Sequence, residues 1–230
     1  CIPHRFSRQQ DIEIAGFFAA LFAWGNRTTI INKAWELMDR MDRDPYRFCR
    51  DHQASDLKRL LSFKHRTFNA TDLLFLVDFL HRHYTQHESL ETAFTKRLKR
   101  TDSNIENGLN GFYETVFALP DAPDRTRKHI AAPFKLSSCK RLNMYLRWMV
   151  RRDGAGVDFG LWRSIRMDQL VIPLDLHVSR VAKRFQLLHR PQADWPAAIE
   201  LTDQLKQFDA ADPVKYDFAL FSLGVVEKYF

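Results

Sequence analysis

The stretch Cys139-Lys-Arg-Leu-Asn-Met-Tyr-Leu-Arg-Trp-Met-Val-Arg-Arg152 carries the pattern that decides the fold. Its apolar residues recur at intervals of three and four, which is the period of a helix with one buried face. The same period recurs in residues 10–24 and 71–84, and no segment shows the alternation typical of a strand. Glycine and proline are few, with 8 and 9 among 230 residues, so short connections are expected. The sequence therefore predicts an all-α protein without strands.

Capping residues mark the starts of further helices. Aspartate or serine before an apolar run, or aspartate followed by proline, typically begins a helix. A short helix is also expected over residues 158–165. The expected starts are Asp194 for residues 195–208, Asp212 for residues 212–227, and Ser137 or Ser138 for the helix at Lys140.

The length of the chain bounds its domain organisation. A chain of 230 residues can form one large domain, and we expect a single all-helical domain over residues 1–230. The acidic, proline-containing segment Pro120-Asp-Ala-Pro-Asp124 predicts a boundary between two lobes near residues 120–135.

The positive charge of the chain is concentrated in one segment. Residues 140–190 contain eleven Lys or Arg and four Asp, while the rest of the chain contains 24 residues of each sign. A concentrated basic surface attracts phosphate backbones, so a polyanionic partner is favoured over a neutral metabolite. A solvated basic helix is the alternative explanation of this charge run.

The cysteine pattern and the apolar runs exclude several classes of protein. Three widely spaced cysteines without a Cys-x-x-Cys pair indicate neither a disulfide framework nor a metal site. The most apolar run, residues 14–24, is about half as long as a bilayer span. We therefore expect a cytoplasmic monomer that needs no cofactor, no metal and no membrane.

Lys140 and Asp175 are the candidate pair for chemistry, because each lies at a predicted helix start. The helix dipole disfavours a cation in the first turn, and Arg141 adds a second positive charge, so both favour the nucleophilic free amine of Lys140. Asp175 could cap its helix, and it could also take up a proton or stabilise positive charge on a sugar. An exposed lysine and a capping aspartate remain the alternative explanations.

The string Pro173-Leu-Asp-Leu-His-Val-Ser-Arg180 resembles the Pro-Val-Asp-x-His-Val-x-Arg signature of helix-hairpin-helix DNA glycosylases. The long interval between Lys140 and Asp175 more closely resembles the archaeal 8-oxoguanine DNA glycosylases. This resemblance implies two helical lobes with a cleft between them, with Lys140 as the Schiff-base lysine and Asp175 as the catalytic aspartate. It also implies that Asp217 contacts the base.

The whole chain is also similar to a bacterial family catalogued as a domain of unknown function. The strings that carry this similarity are Ile2-Pro-His-Arg-Phe, Asp11-Ile-Glu-Ile-Ala-Gly-Phe-Phe-Ala-Ala, Lys140-Arg-Leu-Asn-Met and Asp212-Pro-Val-Lys-Tyr-Asp-Phe-Ala.

Contacts to DNA must be arranged differently here from the usual glycosylase pattern. The expected Gly-x-Gly hairpin is absent from Pro133-Phe-Lys-Leu-Ser-Ser138, so the serines and the helix N-terminus are expected to bind phosphate instead. Trp24 and Phe221 are candidates for stacking on a flipped base, although their helical spacing also fits core packing. The candidates for backbone contacts are Lys135, Ser138, Arg141, Arg147, Arg151 and Arg180.

The sequence thus predicts a bifunctional DNA glycosylase and AP lyase of base excision repair. Its substrate would be damaged duplex DNA with an oxidised purine of the 8-oxoguanine type, which is excised through a lysine Schiff base. Two alternatives remain: a non-catalytic nucleic-acid-binding protein on the same scaffold, and a helical partner-binding protein whose motif only caps helices. The lesion and the choice between DNA and RNA stay open.

Overall fold

A computed structural model describes residues 2–154, 156–227 and 229. Within these residues the chain forms eleven α-helices, which confirms the all-α prediction. No helix of this described part is both long and apolar enough to cross a bilayer. The helices are α1 (Gln9–Leu21), α2 (Arg27–Arg40), α3 (Pro45–Asp51), α4 (Ala54–Leu57), α5 (Ala70–Tyr84), α6 (Glu91–Thr95), α7 (Glu106–Phe117), α8 (Lys140–Val150), α9 (Leu176–Arg184), α10 (Trp195–Lys206) and α11 (Asp217–Val225). Short 3-10 helices cover Pro3–Arg5, Lys58–Leu60, Asp124–Lys128, Pro133–Lys135, Met167–Gln169 and Pro213–Tyr216.

A small β-hairpin corrects the prediction that the chain has no strands. Strands β1 (Lys64–His65) and β2 (Phe68–Asn69) pair antiparallel, with His65 opposite Phe68. Each strand has only two residues, which is too short for an alternating pattern to stand out in the sequence.

Two predicted helix starts have different outcomes. Asp194 caps α10 as predicted, because its carboxylate accepts a hydrogen bond from Ala197 N at 2.9 Å. Asp212 is followed by the 3-10 turn Pro213–Tyr216, so the last α-helix begins only at Asp217.

The helix predicted over residues 158–165 is wrong. Phe159 N donates to Trp148 O at 2.7 Å, and Trp162 N donates to Met149 O at 2.9 Å. These amides satisfy carbonyls at the end of α8 and are therefore not available for a helix of their own.

The chain divides into two compact units, each with its own core. Unit 1 contains Cys1–Lys96 and Gly111–Ile130, and unit 2 contains Arg97–Asn110 and Ala131–Phe230. The core of unit 1 is rich in phenylalanine, with Phe94 and Phe112 stacked at 4.0 Å. In unit 2 the fully buried Trp162 packs edge-on against Tyr145 of α8 at 5.4 Å. Helices α8 to α11, which carry the predicted catalytic residues, all belong to unit 2.

Candidate active site

Lys140 and Asp175 lie together at the starts of two helices of unit 2. Lys140 is the first residue of α8, and Asp175 is the N-cap of α9. Lys140 Nζ is 3.6 Å from Asp175 Oδ2, and the two side chains are 28% and 19% exposed. The structure therefore brings the two predicted catalytic side chains into one partly accessible site.

The two oxygens of Asp175 have separate partners. Oδ1 accepts a hydrogen bond from Val178 N at 2.9 Å, which caps α9. Oδ2 faces Lys140 Nζ. Capping and pairing with the lysine are thus compatible at one carboxylate, since the cap fixes the aspartate side chain and leaves its second oxygen for the amine.

The loop before Lys140 has an unusual backbone. Leu136 and Cys139 have φ angles of 58° and 52°, a left-handed conformation that costs a residue other than glycine about 1 kcal/mol or more. Cys139 is the N-cap of α8 and makes no side-chain cap hydrogen bond, so the prediction that Ser137 or Ser138 caps this helix is wrong. The hydroxyl of Ser138 instead donates to Leu174 O at 3.2 Å.

Arg147 of α8 corrects the expectation that this residue contacts the DNA backbone. Its side chain is only 2% exposed. Its guanidinium donates to Asp158 Oδ1 at 3.1 Å and pairs closely with Asp217. A side chain held in this way cannot reach a phosphate backbone without leaving Asp217 and one oxygen of Asp158 without their cation.

Arg151 is also turned inward. Its Nε donates to Asp212 Oδ2 at 2.9 Å, and its Nη1 donates to Asp158 Oδ2 at 3.1 Å. Asp158 is therefore shared by the two arginines. We name Arg147, Arg151, Asp158, Asp212 and Asp217 the buried ion cluster. The positive charges of its two arginines are paired with these aspartates and are therefore not displayed on the surface, where the sequence predicted them.

Asp217 belongs to the buried ion cluster and is also close to the candidate pair. Burial raises the pKa of Asp217 to about 6, although Arg147 acts in the opposite direction. The charges of Lys140 and Asp175 also act on this carboxyl. Asp217 is predicted to contact a base, but one of its oxygens is already paired with Arg147. The predicted contact would therefore use its other oxygen.

Two exposed phenylalanines lie on α11, one near α9 and the other near Arg147 of the buried ion cluster. Phe221 is 39% exposed, and its ring lies 6.5 Å from the ring of His177. Phe218 is also exposed, and its ring centre lies 4.1 Å from the Arg147 guanidinium carbon. The two helices approach closely because Gly224 lacks a side chain: a Cβ there would be 2.9 Å from His177 Cβ.

The remaining predicted contact residues are distributed differently. Arg180 is exposed on α9, and Arg141 is half-buried, which lowers the pKa of its guanidinium. Lys135 is exposed in the 3-10 turn before the loop. Trp24 lies in unit 1, where the Arg66 guanidinium carbon is 4.5 Å from its ring centre.

Several polar residues of the site were not predicted from the sequence. Asn143 is 1% exposed and donates from Nδ2 to Ser138 O at 3.0 Å. Asp158 and Asp212 gave no signal of pairing, since one lies in a predicted helix and the other was interpreted as a helix start. Lys140, Asn143 and Arg147 follow one another at steps of three and four, a spacing that places them on one face of a helix.

The chain was compared with known families, curated proteins and solved structures. Residues 1–226 match the family described as "Protein of unknown function (DUF2400)". The chain belongs to the DUF2400 family. No curated protein and no solved structure gives a significant match to it.

The geometry of this DUF2400 protein supports a defined range of chemistry. An amine and a carboxylate 3.6 Å apart can exchange a proton through a small movement of the lysine side chain. The neutral amine is a nucleophile toward carbon, and the nearby carboxylate can stabilise positive charge that develops on that carbon. The exposed Phe221 ring adds an apolar surface 6.5 Å from the ring of His177, in the first turn of α9.

Proposed function

We propose that this protein is a bifunctional DNA glycosylase and AP lyase with a helix-hairpin-helix glycosylase-like scaffold, and that it excises an oxidised purine from duplex DNA. The observation that carries the proposal is the 3.6 Å distance between Lys140 Nζ and Asp175 Oδ2 at the starts of α8 and α9. It is supported by the resemblance of the string around Asp175 to the glycosylase signature.

The proposed reaction begins when Asp175 accepts a proton from the Lys140 ammonium. The neutral amine attacks C1′ of the damaged nucleotide, the bond from C1′ to the base breaks, and the base leaves with the bonding electrons and takes up the proton that Asp175 had accepted. The bond from C1′ to O4′ then breaks, a proton moves from the lysine nitrogen to O4′, and a protonated imine forms between C1′ and Lys140. The Asp175 carboxylate takes up a C2′ proton, the electrons of that bond expel the 3′ phosphate by breaking the C3′–O bond, and water hydrolyses the imine to release Lys140.

Recognition of the flipped base is assigned to Asp217 and Phe221 of α11. Phe221 supplies an exposed ring for stacking, and Asp217 supplies a carboxyl that accepts or donates a hydrogen bond according to its protonation. The stacking role of Trp24, which lies in unit 1, stays a prediction of the sequence. Arg141, Arg180 and Lys135 remain the candidates for backbone contacts. Arg147 and Arg151 are assigned to the buried ion cluster, and the hydroxyl of Ser138 is already engaged by Leu174 O.

Borohydride trapping tests the proposed chemistry directly. The protein is incubated with duplex DNA that contains 8-oxoguanine or an abasic site, and sodium borohydride reduces any imine to a stable covalent adduct. We expect an adduct with wild-type protein, none with Lys140→Gln, and an undiminished adduct with the control Lys58→Gln, at an exposed position of unit 1. The absence of an adduct with every oxidised purine and with the abasic site would reject the proposal.

A non-catalytic nucleic-acid-binding protein is the second candidate. It is favoured by the excess of Lys and Arg in residues 140–190, because a basic surface attracts phosphate backbones. In such a protein the pair of Lys140 with Asp175 has a purely structural role. This candidate predicts salt-sensitive DNA binding without an adduct. A helical partner-binding protein predicts neither.

A further inference from the structure

Ser138 joins the two helix starts that carry the candidate catalytic pair. It lies two residues before Lys140, and its Oγ donates to the carbonyl of Leu174, the residue directly before Asp175, at 3.2 Å. We infer that Ser138 is a positioning residue that sets the separation of Lys140 and Asp175, an inference that rests on the proposed function of this pair.

The hydrogen bond from Ser138 connects the segment before α8 with the segment before α9. Leu174 is buried, so its carbonyl is a fixed anchor inside unit 2. Asp175 is fixed in turn by its cap bond to Val178 N at 2.9 Å. The Ser138 hydroxyl therefore links the start of α8 to this segment.

Asn143 of α8 binds the backbone carbonyl of Ser138. Its Nδ2 donates to Ser138 O at 3.0 Å, and the residue is almost fully buried one turn after Lys140. Ser138 thus donates from its hydroxyl toward α9 and accepts at its carbonyl from α8. A residue anchored in two directions cannot move without breaking one of these bonds.

The backbone of the loop explains why such anchoring is needed. Leu136 and Cys139 both occupy the left-handed region without being glycine. This conformation costs each of the two residues about 1 kcal/mol or more, so the loop requires tertiary contacts to keep its shape. If the loop relaxed, the first turn of α8 would move and Lys140 with it. A misplacement of about 1 Å can slow a reaction by about 100-fold.

The positioning role makes a different prediction from a phosphate contact. A serine that binds phosphate contributes to DNA affinity, so its loss raises the Kd. A serine whose hydroxyl is engaged by Leu174 O contributes to the geometry of the pair, so its loss lowers the rate after binding. The two roles separate when the rate at saturating protein and the Kd are measured on the same variants.

The first experiment uses single-turnover borohydride trapping on 8-oxoguanine duplex, with the Kd measured in parallel. Ser138→Ala should slow the saturated trapping rate by about tenfold with an unchanged Kd, and Ser138→Thr, which keeps the hydroxyl, should restore most of it. Ser222→Ala, at an exposed position of α11, is the matched control and should change neither quantity. A higher Kd with an unchanged rate, or no rescue by threonine, would overturn the inference.

A second experiment needs no DNA, so it separates failure of this inference from failure of the proposed function. Lys140 is reductively methylated with formaldehyde and cyanoborohydride, and its rate of modification is followed by mass spectrometry of peptides. The rate in Ser138→Ala should move from the wild-type value toward that of Asp175→Asn, in which the carboxylate is absent. An unchanged rate rejects the positioning role, whatever the trapping assay shows.

The variants are compared at equal helicity by circular dichroism. If Ser138→Ala does not fold, Ser138→Cys replaces it, because a thiol is a weaker donor than a hydroxyl. Its expected changes have the same direction and a smaller size, and wild-type values in both assays would again overturn the inference.

Discussion

Arg147 and Asp217 form a buried ion pair although 70 positions of sequence separate them. Arg147 also donates to Asp158 at 3.1 Å, so one guanidinium joins α8 to α11 and to the segment that follows α8. This pairing decides how the basic segment of the chain should be interpreted. Part of its positive charge holds unit 2 together and is not displayed to a polyanionic partner.

Removal of this guanidinium should strongly destabilise the protein. Arg147→Ala leaves Asp217 and one oxygen of Asp158 without their cation, and breaking a buried pair in this way costs about 3–5 kcal/mol. Urea denaturation at pH 7 measures the loss in the free energy of unfolding. The exposed Arg163→Ala is the control and should leave the free energy nearly unchanged. Equal losses in the two variants would show that the buried pair contributes no more than a surface arginine.

The raised pKa of Asp217 predicts how stability depends on pH. In the folded protein the pKa is about 6, above the ordinary value of 3.8. The folded state therefore binds more protons between these values, so the contribution of Asp217 to stability is fully present below pH 3.8 and is lost as the pH rises through 6. The free energy of unfolding of wild type minus that of Asp217→Asn should fall across this window.

Asp194 provides a control of opposite sign. Arg190 and the cap bond to Ala197 lower the pKa of Asp194 below its ordinary value of 3.8, despite partial burial. Its contribution to stability is present above that value and is lost as the pH falls below it. The difference between wild type and Asp194→Asn should therefore shrink in acid. The same slope in both variants would contradict the assignment for Asp217.

Helices with local signals could be predicted from the sequence, whereas other elements could not. Helix α10 has its cap Asp194 next to it, and α5 has a regular apolar period. The β-hairpin has two-residue strands, so it leaves no periodic pattern. No helix forms over residues 158–165, because the amides of Phe159 and Trp162 donate to carbonyls of α8. These partners lie outside the segment, so its own sequence does not reveal them.

The candidate site was predictable to the extent that it depends on helix starts. The sequence predicts Lys140 and Asp175 at helix starts, and the proposed resemblance to the glycosylase signature connects the two. The inward turn of Arg147 and Arg151 could not be predicted, because their partners Asp217 and Asp212 come from a distant part of the chain. Periodicity reports which residues share a helix face, and it does not report which distant carboxylate covers that face.

The two roles of Asp175 can be separated by substitution. Asp175→Asn keeps an oxygen that accepts from Val178 N, so its stability should be close to that of wild type, while Asp175→Ala should lose about 1 kcal/mol. Both lack the carboxylate beside Lys140, so both should lower the trapping rate by about 100-fold or more. Asp194→Asn, at the equivalent cap of α10, should trap as wild type does. Full trapping by Asp175→Asn would limit this aspartate to capping.

The close approach of α9 and α11 should depend on Gly224. In Gly224→Ala the new methyl group would lie 2.9 Å from His177 Cβ and 3.2 Å from the His177 backbone, so the helices must separate. Overpacking of this kind costs about 1–3 kcal/mol, which exceeds the gain of up to about 1 kcal/mol in helix propensity. Thermal unfolding should show a lower Tm than in Ser222→Ala on the same helix. A higher Tm would mean that the helices separate without cost.

The exposed Arg180 should contribute to DNA binding in a way that the buried arginines do not. A side chain that contacts one phosphate supports affinity for all sequences, and its loss reduces the slope of log affinity against log salt by about 1. Arg180→Ala should therefore weaken binding to damaged and undamaged duplex by the same factor, with the smaller slope. Fluorescence anisotropy over a series of salt concentrations measures both quantities. The exposed Arg43 of unit 1, which pairs with Asp39 at 2.6 Å, is the control, and Arg43→Ala should retain the wild-type slope. An unchanged slope in Arg180→Ala would remove this residue from the proposed DNA-binding surface, and the remaining cationic candidates would be Lys135 and Arg141 at the start of α8.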